Sequence, residues 1–342
     1  MTGNNFRYYR LLSKMSQEEL AFKIGVGKMT VSNYEIGKRK PDYATLQRLS
    51  KVLGVSLPKL LAHSNDNLVI SHGAFRRQSG ITKSRQDIIL WEIDRYLNKL
   101  YEVFSYVDGQ GQVSLKLPGK QIEAKGSEED AQKLRRAMKL PQTGPIGNIT
   151  DILENNGFII CPVEIDGRDF SGNSGSVNGR PYIAVNTAMS AERQRFTLVH
   201  ELSHLFFKFD ERQDEEKIVD GIAGAFLLPE QDIIRELGPK RKDIRGNLRD
   251  LQREYGISMA SVAMRARQSD IISQSIYEST MKWMSVNGLR RDENSGLEVE
   301  KTHLLEQLVS RAVSEEEISL SKAAELLEMP LTDVRRLCYG GM

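Results

Sequence analysis

The sequence predicts a multidomain, mainly α-helical protein: an all-α N-terminal domain, a central α+β domain with a small sheet, and a helical C-terminal region. Cap and turn signals divide the first 62 residues into five short helices. Two extended stretches, 158–165 and 181–186, precede an apolar helical stretch at 195–209. The predicted ranges are a first domain at 5–62, a linker at 63–74, a central domain at 75–235 and a helical region at 236–342.

The overall composition is that of an ordinary globular protein. The 342 residues leave room for two or three domains, with 39% hydrophobic and 27% charged residues. No apolar run approaches the length that spans a bilayer, and the first residues lack the apolar core of a secretory signal. Cys161 and Cys338 lie far apart and suggest no disulfide framework. We therefore expect a cytoplasmic protein without a membrane partner.

Charge is distributed unevenly along the chain. Residues 1–62 contain 11 Lys and Arg against 4 Asp and Glu, although the net charge of the whole chain is only +2. The remaining residues are therefore acidic overall. A basic head on an acidic body is typical of a nucleic-acid-binding module joined to a second function.

Local signals within the basic head predict a helix-turn-helix. Ser16 and Glu19 have the spacing of a capping box, which opens one helix. Gly25 is placed to make the tight turn, and a second helix is predicted from Lys28 to about Tyr34. A helix, a glycine turn and a second helix at this spacing form a unit that places its second helix in the major groove of DNA.

The head closely resembles the lambda-repressor-like (XRE) family over its whole length. The matching residues are Ser16-Gln17-Glu18-Glu19-Leu20-Ala21, Gly25-Val26, Val31-Ser32-Asn33-Tyr34-Glu35, Gly37-Lys38, Pro41 and Leu53-Gly54-Val55. One departure is Gly27, where the family often has a capping Ser or Thr. By analogy with the family, we expect a homodimer on a two-fold operator of double-stranded DNA.

The resemblance also implies which side chains contact that operator. Four residues are expected to face the base edges in the major groove: Lys28, Met29, Thr30 and Asn33. Four others are expected to contact phosphates, which set affinity and register: Gln17, Tyr34, Lys38 and Arg39. The alternative for any one of these side chains is a solvated position on a helix surface.

The most specific chemical signal is the run His200-Glu201-Leu202-Ser203-His204, which reads H-E-x-x-H. Positions i and i+4 share one face of a helix, so both imidazoles can reach one metal ion. Glu201 is then placed to act as a general base on a water held by the metal. The chain has only five histidines, and two of them lie in this motif.

Two histidines do not complete a catalytic zinc site, which needs three protein ligands. The nearest downstream candidates are Asp210, Glu211, Asp214, Glu215, Glu216 and Asp220. Glu216 and Asp220 share a face if that stretch is helical, so Glu216 as the ligand would leave Asp220 to hold an imidazole. A solvated acidic loop is the alternative.

The predicted sheet supplies the surroundings of this motif. The residues between its two strands, 169–175, are rich in turn formers. A peptide substrate can add to an exposed sheet edge through backbone hydrogen bonds, so a strand beside the motif helix would be a suitable platform. Tyr182 is either an oxyanion donor or a packing residue of its strand, and His72 is interpreted as a surface residue. Trp91 is interpreted as a core residue of a helix at about 84–104.

A second resemblance, to the ImmA/IrrE metallopeptidase family, extends from about residue 75 into the C-terminal region. It is carried by Arg195-Phe196-Thr197-Leu198-Val199-His200-Glu201-Leu202-Ser203-His204, by Glu216 and Asp220, and by Ile222-Ala-Gly-Ala-Phe-Leu-Leu-Pro229. It implies a zincin-like domain that binds Zn²⁺ through His200, His204 and Glu216, with Glu201 as the base. Ser203 stands where the family usually has Gly, and Val219-Asp220 replaces the usual Ala-Asn.

The two resemblances together imply a DNA-binding transcriptional regulator with a zinc-dependent endopeptidase domain. Family members commonly cleave a partner repressor and so switch on genes of mobile elements or stress responses. Cleavage of a separate protein and self-cleavage in the linker are equally open. One alternative is a non-proteolytic repressor or antitoxin whose zincin-like domain binds a partner, such as a toxin, or a small ligand. A purely structural metal is another.

Overall fold

The computed structural model describes residues 2–61, 68–73, 75, 80–107, 122–290 and 295–340. The helices are α1 (Thr2–Leu12), α2 (Gln17–Ile24), α3 (Lys28–Glu35), α4 (Tyr43–Leu53), α5 (Leu57–Leu61), α6 (Lys83–Tyr106), α7 (Ser127–Ala137), α8 (Ile149–Asn155), α9 (Ala191–Phe206), α10 (Glu215–Leu227), α11 (Glu230–Leu237), α12 (Leu248–Tyr255), α13 (Met259–Gln268), α14 (Gln274–Val286), α15 (Leu304–Ser314), α16 (Leu320–Leu327) and α17 (Leu331–Tyr339). The strands are β1 (Ile70–His72), β2 (Ile122–Glu123), β3 (Ile159–Val163), β4 (Gly172–Val177), β5 (Arg180–Asn186) and β6 (Phe207–Lys208). The predicted fold class, mainly helical with a small central sheet, is confirmed.

The N-terminal head, α1 to α5, is the predicted bundle of five short helices. The capping box before α2 is confirmed: the Ser16 hydroxyl accepts from the Glu19 amide at 3.1 Å, and the Ser16 amide donates to the Glu19 carboxylate at 2.6 Å. Gly25 has φ of 70°, a left-handed conformation that glycine adopts without strain. Gly27 caps α3 without a side-chain hydrogen bond, as its identity predicts. The cap and turn therefore fix the angle between α2 and α3.

The central sheet has the strand order β1-β4-β5-β3, with β4 antiparallel to both of its neighbours and β3 parallel to β5. Two of its strands were not predicted. β4 lies where turn formers predicted a loop, and β1 lies inside the predicted linker, of which residues 63–67 and 74 fall outside the described part. Glycines at 172 and 175 permit β4 because a Cβ at either position would lie within 3 Å of neighbouring atoms. Small residues are needed in β4 because neighbouring chain segments approach its backbone closely. This requirement comes from the tertiary structure, so turn propensities do not reveal it.

Side chains alternate between the two faces of the sheet and separate two hydrophobic cores. On one face, Ile160 and Ile183 pack with Leu198 and Leu202 of α9. On the opposite face, a second core joins the sheet to α6, and its members include Ile89, Ile93, Leu97, Ile159, Cys161 and Tyr182. The motif helix and α6 therefore cover opposite faces of the same sheet.

Hydrophobic packing continues across the predicted boundary at residue 235. Leu248, Val262 and Met284 from α12, α13 and α14 belong to the same core as α9 and α10. A smaller cluster joins α15, α16 and α17 to the end of α6. The domain ranges stay predictions, but residues up to Met284 belong to the hydrophobic core that includes α9.

Arg195, one turn before the motif, fixes α9 to the surrounding loops. Its guanidinium is buried and donates to the carbonyls of Ile146 and Gly147 at 2.8 Å and of Gly256 at 3.2 Å. It also forms an ion pair with Glu300. Gly256 permits this contact because a Cβ there would lie 2.5 Å from Nε of Arg195. A charged side chain with several acceptors can be buried at tolerable cost, and here it orients the helix that carries the motif.

The head packs on α6 through aromatic and polar contacts. The rings of Tyr8 and Trp91 stack with centroids 3.5 Å apart and planes within 9°. Trp91 donates its indole N–H to Asn5 at 3.2 Å, and the Tyr8 hydroxyl donates to Glu92. Trp91 was interpreted as a core residue; it is instead half-buried at this interface, because its face of α6 meets the head rather than the sheet.

Replacing Trp91 with Ala is expected to loosen the head from the body without unfolding either part. The stacked aromatic pair contributes about 0.5–1.5 kcal/mol beyond its buried area. Small-angle scattering would show a larger radius of gyration for this variant than for the parent. The chain's other tryptophan, Trp283, packs against the core of the body and provides the matched control. An equal expansion in Trp283→Ala would contradict a specific role for the Trp91 contact.

No helix in the described ranges is both long and apolar enough to cross a membrane.

Candidate metal centre and nucleic-acid interface

Helices α9 and α10 bring the three predicted ligands together. His200 and His204 lie one turn apart on α9, and their Nε2 atoms are 3.0 Å from each other. Glu216, in the first turn of α10, places its carboxylate oxygens 3.6 Å from Nε2 of His200 and 3.7 Å from Nε2 of His204. One ligand atom from each of the three residues lies within 4.8 Å of the other two. Glu216, which lies 12 and 16 positions after the two histidines, is thus brought beside both of them.

These separations fit a tetrahedral zinc ion. Zn–N and Zn–O bonds of about 2.0–2.1 Å at tetrahedral angles place two ligand atoms about 3.3 Å apart. The two Nε2 atoms are 3.0 Å apart, and each lies close to this distance from a different oxygen of Glu216, His200 at 3.6 Å from Oε2 and His204 at 3.7 Å from Oε1. Two imidazoles and one carboxylate are also a ligand set of catalytic zinc sites, which leave a fourth position for water. The residues present therefore fit Zn²⁺.

Two further carboxylates hold the outer nitrogens of the imidazoles. Asp220 Oδ1 lies 2.8 Å from Nδ1 of His200, which is the contact expected for this residue. Glu215 Oε1 lies 2.8 Å from Nδ1 of His204. A carboxylate at Nδ1 favours the tautomer that has its proton there, in which Nε2 can bind a metal through its lone pair. The sequence placed Glu215 only among the candidate ligands, because its role depends on the angle at which α10 meets α9.

Glu201 lies beside the three ligands and is held by the sheet. Its side chain is almost buried, at 9% exposure, and its Oε2 accepts a hydrogen bond from the Ser174 hydroxyl at 2.8 Å. Ser174 lies on β4, in the segment predicted as a turn, so sequence reasoning missed it. Ser203 turns back into its own helix and donates to the Val199 carbonyl at 2.8 Å. The serine that replaces the usual glycine is therefore satisfied within α9.

Tyr182 faces away from the metal ligands. It belongs to the core on the α6 side of the sheet, which favours the packing interpretation over a role as an oxyanion donor. Its hydroxyl lies 2.6 Å from Nδ1 of His72, whose Nε2 is 3.1 Å from Asp94 Oδ1. Burial, with smaller contributions from Cys161, Asp94 and Glu201, raises the pKa of Tyr182, so the phenol stays neutral. His72 was interpreted as a surface residue and is instead half-buried.

The second candidate site is the outer face of α3 in the head. Lys28 and Met29 are exposed in the full chain, Met29 to 73%, while Thr30 and Asn33 are half-buried on the same helix. Lys38 and Arg39 are exposed in the loop that follows. The head's contact with α6 is made from α1, so these residues remain accessible.

Other predicted DNA contacts are engaged within the head. The Gln17 amide donates to Glu35 at 2.7 Å, and Lys28 forms an exposed ion pair with Glu18 at 2.7 Å. Tyr34 is only 5% exposed and packs in the head's core, with the Arg39 guanidinium 6.0 Å from its ring centre. Its ring is therefore chiefly a packing element, because α3 turns that face inward.

Comparison with known families finds a match over each of the two regions. A helix-turn-helix family model matches residues 6–60, and the model of the IrrE N-terminal-like domain, a peptidase M78 family, matches residues 162–267. A helix-turn-helix transcriptional regulator from Methanocaldococcus jannaschii, MJ0272, is 33% identical over 63 residues, which are 18% of this chain and 96% of that protein. The chain belongs to the helix-turn-helix transcriptional regulators and carries an IrrE N-terminal-like domain. Both predicted resemblances are thereby confirmed.

Other relatives of this regulator match shorter parts of their own length. The regulator YqaE of Bacillus subtilis is 35% identical over 74 residues, 22% of this chain and 64% of that protein. The cryptic phage CTXphi transcriptional repressor RstR of Vibrio cholerae is 37% identical over 68 residues, 20% of this chain and 61% of that protein. The chain thus spans less than two thirds of these two relatives.

The IrrE-like match covers the whole candidate metal centre of the regulator. It begins in β3 and ends in α13, so it includes the motif on α9 and the carboxylates on α10. Members of this family are typically metal-dependent. The match also crosses residue 235, in agreement with the continuous packing described above.

Proposed function

We propose that this protein is a DNA-binding transcriptional regulator whose IrrE-like domain is a zinc-dependent endopeptidase acting on a repressor or another regulatory partner. The observation that carries the proposal is the convergence of His200, His204 and Glu216 on one point, with Glu201 held beside them. The same chain presents an accessible recognition helix. Cutting a regulatory protein therefore fits this arrangement better than general digestion.

The proposed ligands are His200, His204 and Glu216. A bound Zn²⁺ would supply Lewis-acid chemistry, lowering the pKa of a coordinated water and polarising the scissile carbonyl. Glu201 accepts the proton of the attacking water on its carboxylate and returns it to the leaving amine. The hydrogen bond from Ser174 fixes the carboxylate in position, and Asp220 and Glu215 fix the orientation of the two imidazoles.

Peptide cleavage is tested by comparing new N-termini in host cells that express the wild type or Glu201→Gln. The proposal expects new N-termini within a DNA-binding regulator, or within this chain, only with the wild type. Identical N-termini and an unchanged cellular effect would favour the non-proteolytic repressor or antitoxin. Intact-mass analysis of the zinc-loaded protein distinguishes cleavage of the chain itself from cleavage of a partner.

The head is proposed to bind double-stranded DNA as a homodimer. Lys28, Met29, Thr30 and Asn33 form the proposed base-contacting face, and Gln17, Lys38 and Arg39 the proposed phosphate contacts, with Tyr34 supporting α3 from within. The excess of basic residues in the head supports this assignment. The ion pair of Lys28 with Glu18 is exposed, so it can open at small cost when DNA replaces it.

Replacing Asn33 with Ala is expected to weaken binding to the preferred operator by about 1–3 kcal/mol, because an asparagine can make two hydrogen bonds to adenine. The operator is first selected from a randomised duplex library, and affinity is then measured by fluorescence anisotropy. Lys38→Ala is the matched comparison. It should weaken binding to all DNA sequences alike and reduce the salt dependence of the affinity by about one phosphate contact. Equal losses on selected and random DNA in Asn33→Ala would contradict base recognition.

A further inference from the structure

The outer edge of β4 is covered by a short segment of the chain's own, residues 69–73. β1 pairs antiparallel with β4, aligning Ile70 with Val177 and His72 with Gly175. The hydrogen bonds extend beyond the strand at both ends. The Gly73 amide donates to the Ser174 carbonyl at 2.8 Å, and the Asn178 amide donates to the Val69 carbonyl at 2.9 Å. We call residues 69–73 the edge segment. It forms hydrogen bonds with most of the backbone polar groups along this edge of β4.

The edge segment fits β4 closely because both strands have glycine at the contact. A Cβ on Gly73 would lie 2.5 Å from the Ser174 carbonyl oxygen, and a Cβ on Gly175 would lie 2.2 Å from the Ser71 carbonyl oxygen. The Asn173 amide also donates to the Gly73 carbonyl at 3.0 Å. Because the approach depends on two backbone positions, a single methyl group can disturb it.

The His72 side chain holds the edge segment against the body. Its two ring nitrogens contact the Tyr182 hydroxyl and the Asp94 carboxylate. Both contacts lie on the α6 side of the sheet, away from the metal ligands. They are therefore not needed for the chemistry of the proposed peptidase and serve to keep β1 in place.

The covered edge is the one next to the proposed general base. Ser174 contributes its carbonyl to the edge segment and its hydroxyl to Glu201, so both contacts arise from one residue of β4. An extended peptide binds to a sheet edge through the same backbone groups that β1 now uses. A peptide strand pairing here would pass directly beside Glu201.

We infer that the edge segment, residues 69–73, is an intramolecular competitor of the substrate: it occupies the peptide-binding edge of β4 and must leave before a substrate strand binds. The inference rests on the proposed function for the identity of the substrate as an extended peptide. The segment and the substrate use the same hydrogen-bonding groups, so their binding is mutually exclusive. The regulator is therefore held in a closed state by the part of the chain that follows the head.

A peptide-binding experiment tests this exclusion without relying on cleavage. The probe is a fluorescent synthetic peptide with the sequence of residues 66–75, added to full-length protein that carries Glu201→Gln and so cannot cut it. Adding Gly73→Ala should displace the edge segment and tighten probe binding at least tenfold. Gly246→Ala is the matched control, because a Cβ there meets nothing within 4 Å, and it should leave binding unchanged. Equal affinities for all three proteins would overturn the inference.

A reversible crosslink gives a second test, which also covers the outcome that Gly73→Ala does not fold. Ser71 and Ser176 lie directly opposite each other across β1 and β4. Opposite residues of an antiparallel pair have Cα atoms about 4.5–5.5 Å apart, which suits a disulfide between cysteines. Ser71→Cys with Ser176→Cys should block peptide binding and cleavage when oxidised and restore both when reduced. Unchanged cleavage in the oxidised protein would show that β1 is a permanent part of the platform and overturn the inference.

The two proposals fail in different ways. If the protein is not a peptidase, no variant that retains Glu201 cleaves a peptide, but Gly73→Ala still binds the probe at the exposed edge of β4. If only the competitor role is wrong, the wild type cuts a peptide substrate and Gly73→Ala cuts it no faster.

Discussion

Replacing Glu201 with Gln is expected to reduce peptide cleavage by about 10²–10⁴-fold while leaving zinc bound. The amide keeps the size of the side chain and can still accept the hydrogen bond from Ser174, but it takes no proton from water. Its side chain is not among the three proposed ligands, so metal content should stay at the wild-type level. The measurements are the rate of cleavage of the identified partner and zinc per chain by atomic emission.

The control for this variant is Glu211→Gln, which changes the same chemical group on an exposed loop residue between α9 and α10. It should retain both activity and metal. Cleavage by Glu201→Gln at the wild-type rate would remove Glu201 as the base. Loss of zinc together with activity would instead assign Glu201 a role in holding the ligands.

Replacing one of the three proposed metal ligands is expected to reduce the amount of zinc that the protein binds. His204→Ala leaves one imidazole and one carboxylate, so zinc should fall from about one ion per chain to a small fraction, because a stable site needs three protein ligands. Asp220→Asn keeps all three ligands and disturbs only the partner of His200 Nδ1. Its zinc affinity should fall by about 10–100-fold.

Competition with a chromophoric chelator measures both affinities on the same scale. The order expected is wild type, then Asp220→Asn, then His204→Ala, and Glu216→Ala should resemble His204→Ala. A Glu216→Ala protein with wild-type affinity would exclude it as the third ligand. The melting temperature of each variant, measured with and without zinc, tests the structural alternative: a structural metal predicts loss of the fold when zinc is removed.

The local parts of the molecule could be predicted from sequence because their causes are local. The capping box at Ser16 and Glu19, the glycine turn at Gly25 and the i, i+4 spacing of the two histidines depend only on neighbouring residues. Chain segments that pair over long distances were predicted less well. β1 is too short to show a pattern, and β4 is composed of turn formers whose small size is needed by the neighbouring strand and by α9. Trp91 was misassigned because periodicity identifies an apolar position but not the element that covers it.

The helix-turn-helix, the motif helix and the two candidate histidine ligands could be read from the chain alone, since each depends on residue type and short spacing, whereas several carboxylates remained candidates for the third ligand. The tertiary structure decided what those residues do to one another. The packing of α10 on α9 brings Glu216 to the imidazoles and assigns Glu215 to His204. The placement of β4 gives Glu201 its partner Ser174. The pairing of β1 with β4 covers the edge beside them, because backbone hydrogen bonds between distant segments depend on the fold rather than on the local sequence.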